Sequence, residues 1–172
     1  MSIFRLAKDN EELASHVKRN IAYSEDGSEL YRSVPLKYKD SDYEAGWVEF
    51  SHTVGDFEKN RYGNMHGGAI AQLLDTSMGL TAYELGTGNA SPTMDLQVNF
   101  IKGAHIGDEL VIRSEALNST KHSAVLRAQM TRGNELIAMA TATYRLYTTT
   151  VPDAKIFDTL KKFETSEETG GI

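Results

Sequence analysis

NRYGNMHGGAIAQLLDTSMGLTAYEL, residues 60–85, joins a Gly- and Asn-rich loop to the longest apolar-periodic run in the chain. Ile70, Leu73, Leu74, Ser77 and Thr81 recur at helical spacing and form one stripe. Gly68, Ala71, Asp75, Met78, Gly79 and Ala82 form a second stripe of mostly small residues. Gly86, Gly88 and Pro92 then end the helix. Gly67 and Gly68 leave the N–H groups of the helix start uncovered, where the helix dipole attracts developing negative charge. Asp75 lies two to three turns further on, amid apolar residues that predict burial nearly all round. A carboxylate in such surroundings is costly unless it is paired or used.

The flanking sequence supplies a sheet. Thr93 opens a strand over 92–101 in which Met94, Leu96, Val98 and Phe100 alternate with Thr93, Asp95, Gln97 and Asn99, predicting one apolar and one polar face. Three more strands follow at 108–118, 122–132 and 135–149. Their inner faces are Leu110, Ile112, Ser114 and Ala116; then Ala124, Leu126, Ala128 and Met130; then Leu136, Ala138, Ala140, Ala142 and Tyr144. Arg132-Gly133-Asn134 reads as the turn between the last two. Upstream, 31–39 and 43–51 read as two strands joined by Lys39-Asp40-Ser41-Asp42, and 52–66 as a long loop. A helix is expected over 9–25, capped by Asp9 with Glu12 three residues on and striped by Leu13, Val17 and Ile21. A second terminal helix is expected over 153–164, then a Ser-, Glu- and Gly-rich disordered tail over 165–172. The expectation is a single α+β domain over 1–164, an antiparallel sheet of about six strands wrapped around one long helix.

Composition narrows the function classes. The chain has 172 residues, no Cys and a net charge of −6. A disulfide framework, a Cys nucleophile and a thiolate metal site are excluded, and no basic excess exists to neutralise nucleic acid. No apolar run approaches membrane-spanning length, and Met1–Leu13 lacks a signal-type apolar region, so a cytosolic protein is expected. The five His show no metal-ligand spacing, so no metal is expected.

The pattern Asn60, Gly63, His66-Gly67-Gly68 and Asp75, continued by SPTMDLQVNF at 91–100, by Gly107-Asp108 and by LIAMATATYRL at 136–146, resembles the hot-dog-fold acyl-CoA thioesterases of the phenylacetate-degradation type, within the 4-hydroxybenzoyl-CoA thioesterase superfamily. The resemblance covers about residues 43 to 147. It implies that Asp75 acts as general base or nucleophile toward a thioester. Asn60 and the Gly67 N–H would polarise the carbonyl, Thr93 would orient the acid or water, and His66 would hold the loop. Gly68, Lys102, Lys121 and His122 would contact coenzyme A, although this chain has Gly103-Ala104 where the family often has Pro, and Thr120-Lys121-His122 where it often has Gly-Arg or Gly-Lys. It further implies a homodimer sharing its sites, paired again into a tetramer, with coenzyme A entering only as part of the substrate and no separate cofactor. A non-catalytic acyl-CoA sensor is the alternative. A hot-dog dehydratase would need a His/acid pair at a spacing absent here. Trp47, Phe50, Tyr62 and Met65 are the residues read as able to line an aryl or an aliphatic acyl pocket.

Overall fold

The computed structural model describes residues 7–86 and 91–147. Its elements run α1 (Asn10–Gly27), α2 (Glu29–Ser33), β1 (Lys37–Asp42), β2 (Trp47–Thr53), a 3-10 turn (Asp56–Glu58), α3 (Gly67–Glu84), β3 (Thr93–Phe100), β4 (Glu109–Ser119), β5 (Ser123–Arg132) and β6 (Glu135–Arg145). The six strands form one antiparallel sheet in the order β1-β2-β4-β5-β6-β3, with α3 against β2 to β6. The expected wrapped sheet is therefore present. The helix and tail expected beyond residue 152 lie outside the described residues.

Alanines explain how close the helix sits. Ala128, Ala138, Ala140 and Ala142 line the inner faces of β5 and β6, and Leu73, Leu74 and Met78 of α3 are fully buried with them in one core. The first stripe of α3 is buried as expected, but the second divides: Met78 and Ala82 are buried, while Ala71, Asp75 and Gly79 are only half-buried. The small-residue face of α3 is thus partly open. The turn after α3 requires Gly86, because a Cβ there would lie 2.3 Å from the Ala82 carbonyl oxygen.

Four sequence expectations change. Of the strand expected over 31–39 only the end is strand: α2 occupies 29–33, and Pro35 precedes a β1 that starts at Lys37. The Lys39–Asp42 segment is inside β1, and the connection is Tyr43–Gly46, closed by Gly46 at φ 75. The apolar face of β3, the sheet's edge, is only partly covered: Leu96 and Val98 pack against the core, whereas Met94 and Phe100 are 62% and 58% exposed. At the start of β6, Ile137 is fully buried instead of Leu136, because the register slips there against β5.

The N-terminal helix is locked to the end of α3. Asp9 accepts from the Glu12 N–H as the cap, and Leu13 and Val17 are buried. From its inner face His16 meets Glu84 at 3.2 Å, and the Asn20 amide donates to the other carboxylate oxygen. Glu84 is fully buried, and that burial raises its carboxyl from 4.5 to about 7, against the lowering effects of the Asn20 hydrogen bond and the Arg19 charge. Burial likewise lowers His16, helped by Arg19.

The sign of the pH effect follows. Between pH 4.5 and about 7 the unfolded chain releases the Glu84 proton and the folded protein keeps it. Stability therefore falls with rising pH across that window and levels off above it, by roughly 3 kcal/mol from this group. Glu84→Gln should thus gain stability relative to the wild type between pH 4.5 and 8. Urea unfolding of both proteins across this range measures the difference, and a pH-independent difference would remove Glu84 as the source.

Candidate active site

Asp75 is held by two hydroxyls. Thr93 donates to Oδ1 at 2.8 Å, and the Tyr144 hydroxyl lies 2.9 Å from the same oxygen and 2.8 Å from the Asp75 carbonyl. Burial first, then the Asp75 charge, raises the Tyr144 phenol well above its ordinary value, so it stays a donor. No donor among the described residues reaches Oδ2. The carboxylate is thus oriented by one oxygen and open at the other.

A bulge puts Thr93 there. From Leu96 onward β3 and β6 pair regularly, Leu96 with Ala142 and Asp95 with Thr143, which would set Met94 opposite Tyr144. The register slips between Thr93 and Asp95, so Thr93 takes that place instead. Simple alternation assigns Thr93 to the face of Asp95 and Gln97; the extra residue turns it to the face of Tyr144 and Asp75. Tyr144 was not among the residues singled out from sequence. The available signal was one large polar ring closing a face of alanines, whose hydroxyl needs a partner when buried.

The glycine-rich half is built from a pinned loop. Asn60 Oδ1 accepts from the Tyr62 and Asn64 N–H groups at 2.8 and 3.2 Å, which leaves its amide nitrogen as the side free to donate outward. His66 caps α3: its Nδ1 accepts from the Gly68 N–H at 2.8 Å. A Cβ at Gly68 would lie 2.9 Å from that nitrogen, so the cap and the glycine require each other. Nothing among the described residues accepts from the Gly67 N–H, which stands at the positive end of α3. The ring of Phe100 lies beside Gly67.

Beneath this loop is a pair that sequence reading missed. His52 Nδ1 donates to the Pro35 carbonyl at 2.7 Å, and Nε2 meets Glu58 Oε2 at 2.8 Å. Glu58 Oε1 accepts from the Gly55 N–H, and its carbonyl accepts from the His66 N–H at 2.6 Å. Both side chains are out of solvent. His52 continues the buried alternation of Val48 and Phe50, and that position was its signal.

The expected residues fall into two groups. Asn60, His66, Gly67 and Gly68 form one, with Lys102 at the same end of the sheet, where its N–H bonds Ile137. Asp75 and Thr93 form the other, at the end of the β5–β6 hairpin that also carries Lys121 and His122. Gly67 and Asp75 are eight residues apart on one straight helix, about 12 Å along its axis. Their cavities differ as well. Asp75, Thr93 and Tyr144 line a cavity of about 240 Å³ with residues of α1 and α2, whereas His66 and Gly68 line another with Phe57 and Gln72. Lys102 pairs with Glu135 at 2.5 Å and holds that carboxyl below its ordinary value, whereas Lys121 is exposed with no partner among the described groups. Of the residues expected to line an acyl pocket, Phe50 and Met65 are core, Trp47 stacks under Arg113, and Tyr62 is exposed. Among the described residues no three His, Cys, Asp or Glu are grouped to hold a metal, and no helix is long and apolar enough to cross a membrane.

Residues 62–138 match the model of the thioesterase superfamily. Over 86 residues the chain is 33% identical to acyl-coenzyme A thioesterase 13 of Mus musculus, covering 49% of this chain and 56% of the mouse protein. The chain thus spans little more than half the length of that curated relative. A Streptococcus mutans protein solved bound to acetyl CoA superposes with a TM-score of 0.61 at 25% identity, over 67% of this chain and 91% of that one. The PaaI protein of the Escherichia coli phenylacetic acid degradation operon superposes with a TM-score of 0.68 over 81% of this chain and 99% of its own, at 17% identity, a likeness of fold. The architecture is the hot-dog fold.

The buried pair gives a test of how the loop is held. Glu58→Ala leaves His52 facing an empty, dry space and should cost about 3–5 kcal/mol. Denaturant unfolding measures it. A loss below about 1 kcal/mol would mean that the pair does not anchor the loop.

Proposed function

We propose that this chain, whose residues 62–138 match the thioesterase superfamily, hydrolyses acyl-CoA thioesters at sites shared between two subunits. The observation that carries the reading is the Asp75 carboxylate, fixed through Oδ1 and open at Oδ2 beside a cavity. The Asn60 amide and Gly67 N–H of one protomer bind the thioester oxygen. Asp75 of the other takes a proton from water through Oδ2 while the water oxygen attacks the carbonyl carbon. The negative charge that develops on the carbonyl oxygen falls on the two donors and the α3 dipole. Collapse expels the CoA thiolate and leaves the free acid. Thr93 and Tyr144 keep the carboxylate aimed, and direct attack by Asp75 is the variant of the same geometry.

Distance supports the sharing. The donors must hydrogen-bond the carbonyl oxygen while the base hydrogen-bonds the water attacking the same carbon, each contact about 3 Å long, and about 12 Å of helix separates Gly67 and Asp75 in one chain. A two-fold axis that sets two α3 helices against each other brings Gly67 of one beside Asp75 of the other. The open face of small residues on α3 and the unpaired edge of β3 supply the surfaces: helix on helix, and β3 continuing into the partner's β3. Lys121 is the better placed of the two lysines for the phosphates of CoA, because the charge of Lys102 is already met. Pairing of dimers into a tetramer and a cytosolic location belong to the same reading. A sensor that binds without turnover would have no use for an acid held this way.

Asp75→Asn should fold like the wild type and lose about 10²–10⁴ in kcat. Thiol release from a panel of acyl-CoA esters measures this, and activity within a few-fold of wild type would remove Asp75 from the mechanism. Asn60→Ala and Asp75→Ala, each inactive, should regain activity when unfolded and refolded together. Half of randomly formed dimers are mixed, and each carries one intact site, so about a quarter of all sites should work. Mixed dimers without recovered thiol release would place both residues in one subunit's site.

A further inference from the structure

The cavity beside Asp75 is walled by parts of the chain that take no part in the chemistry. Thr76, Gly79, Leu80 and Tyr83 continue from Asp75 along one side of α3. Asn20, Tyr23 and Ser24 of α1 and Tyr31 of α2 form the opposite wall. From Asp75 to Tyr83 is eight residues, about 12 Å of helix. Asn20 of the cavity wall donates to Glu84, the residue after Tyr83, which is fully buried behind that wall and also bonded by His16. An alkyl chain that pushed further would have to break these hydrogen bonds without replacing them, at a cost of a few kcal/mol.

On the reading that Asp75 attacks at a thioester, we infer that α1 and α2 act as an acyl ruler: Tyr23 and Tyr31 wall the acyl cavity, the Glu84–His16–Asn20 cluster stops its far end, and only compact acyl groups fit. The size limit comes from volume and length together. The cavity measures about 240 Å³, against the roughly 150 Å³ that accommodates one benzene ring. At about 1.2 Å per bond of an extended chain, 12 Å allows at most eight to ten carbons, and the volume favours the lower figure. The substrate class is acyl-CoA with an acyl group of up to about eight carbons or one ring with a short tail. Long-chain acyl groups are excluded. Tyr23 and Tyr31 are specificity-determining residues on the cavity wall.

The test measures binding and turnover separately. S-alkyl thioethers of CoA with alkyl chains of two to sixteen carbons cannot be hydrolysed, and calorimetry with the full-length wild-type protein gives their affinities. Affinity should rise to six or eight carbons and then weaken at least tenfold by twelve. In Tyr31→Ala and Tyr23→Ala the difference between the eight- and twelve-carbon analogues should shrink to within about threefold. Affinity that keeps rising to twelve and sixteen carbons in the wild type overturns the ruler, as does an unchanged cut-off in variants that melt like the wild type. If a variant does not fold, the wild-type series still decides. A preserved cut-off with no hydrolysis of the matching acyl-CoA esters would sink the thioesterase reading and keep the ruler, whereas no binding of any analogue would sink both.

Discussion

An α-helix advances a fixed distance per residue, and that distance decides how this protein can work. Gly67 offers an unpaired N–H at the start of α3, and Asp75 offers an open carboxylate oxygen eight residues later. No side-chain rearrangement can bring them to one atom, because the helix between them is gripped along its length by the alanines of β5 and β6. On the proposed reading, each chain therefore holds two halves of different sites. In the proposed reaction the rigidity that separates the halves within one chain is what places them accurately between two. The same α3 provides the charge asymmetry: its N-terminal dipole favours the oxyanion in one half, away from the carboxylate in the other.

Each half is stiffened by a different device. The carboxylate half uses a strand bulge, which turns Thr93 toward Tyr144 so that two hydroxyls converge on one oxygen. The donor half is a long loop with little regular structure, and loops are ordinarily the softest part of a fold. Here the loop is tied at three points: the buried His52–Glu58 pair, the turn around Asn60 Oδ1, and the His66 cap on α3. Glu58 connects the first to the last, because its carbonyl accepts from His66. Polar groups buried here serve orientation rather than net stability, since a buried polar pair repays little of its desolvation.

What could be read from the sequence was what is local. The helix 67–84, its glycine start, its isolated Asp75 and the alternation of β4 and β5 all lie within windows of a few turns or strands. The bulge was invisible because it inserts one residue without disturbing the run of strand-forming types, and it reverses the face of Thr93. Tyr144 and Asp75 are 69 residues apart, and Glu84 and His16 are 68 apart, so no spacing rule links them. His52 and Glu58 are close in sequence but meet only because the chain turns back through Gly55. The misplacement of β1 has a simple cause. The segment 31–39 alternates like a strand, yet it contains Pro35, and the chain before it is spent closing α2.

On the inferred acyl ruler, the N-terminal helices would let selectivity change without touching the chemistry. The donors, the acid and its two hydroxyls lie on the loop, α3, β3 and β6, and none is on α1 or α2. Those helices are fixed instead through Leu13 and Val17 in the core and through the Glu84 cluster at the far end of α3. A carboxyl raised toward neutrality by burial is an expensive fastener. An apolar contact could hold α1 as firmly, but an apolar plug would yield to an alkyl chain of similar polarity. A hydrogen-bonded plug does not, because a methylene cannot replace what it displaces. The polar cluster thus reads as an end wall, and its stability cost is the counterpart of a sharp limit on what the cavity admits.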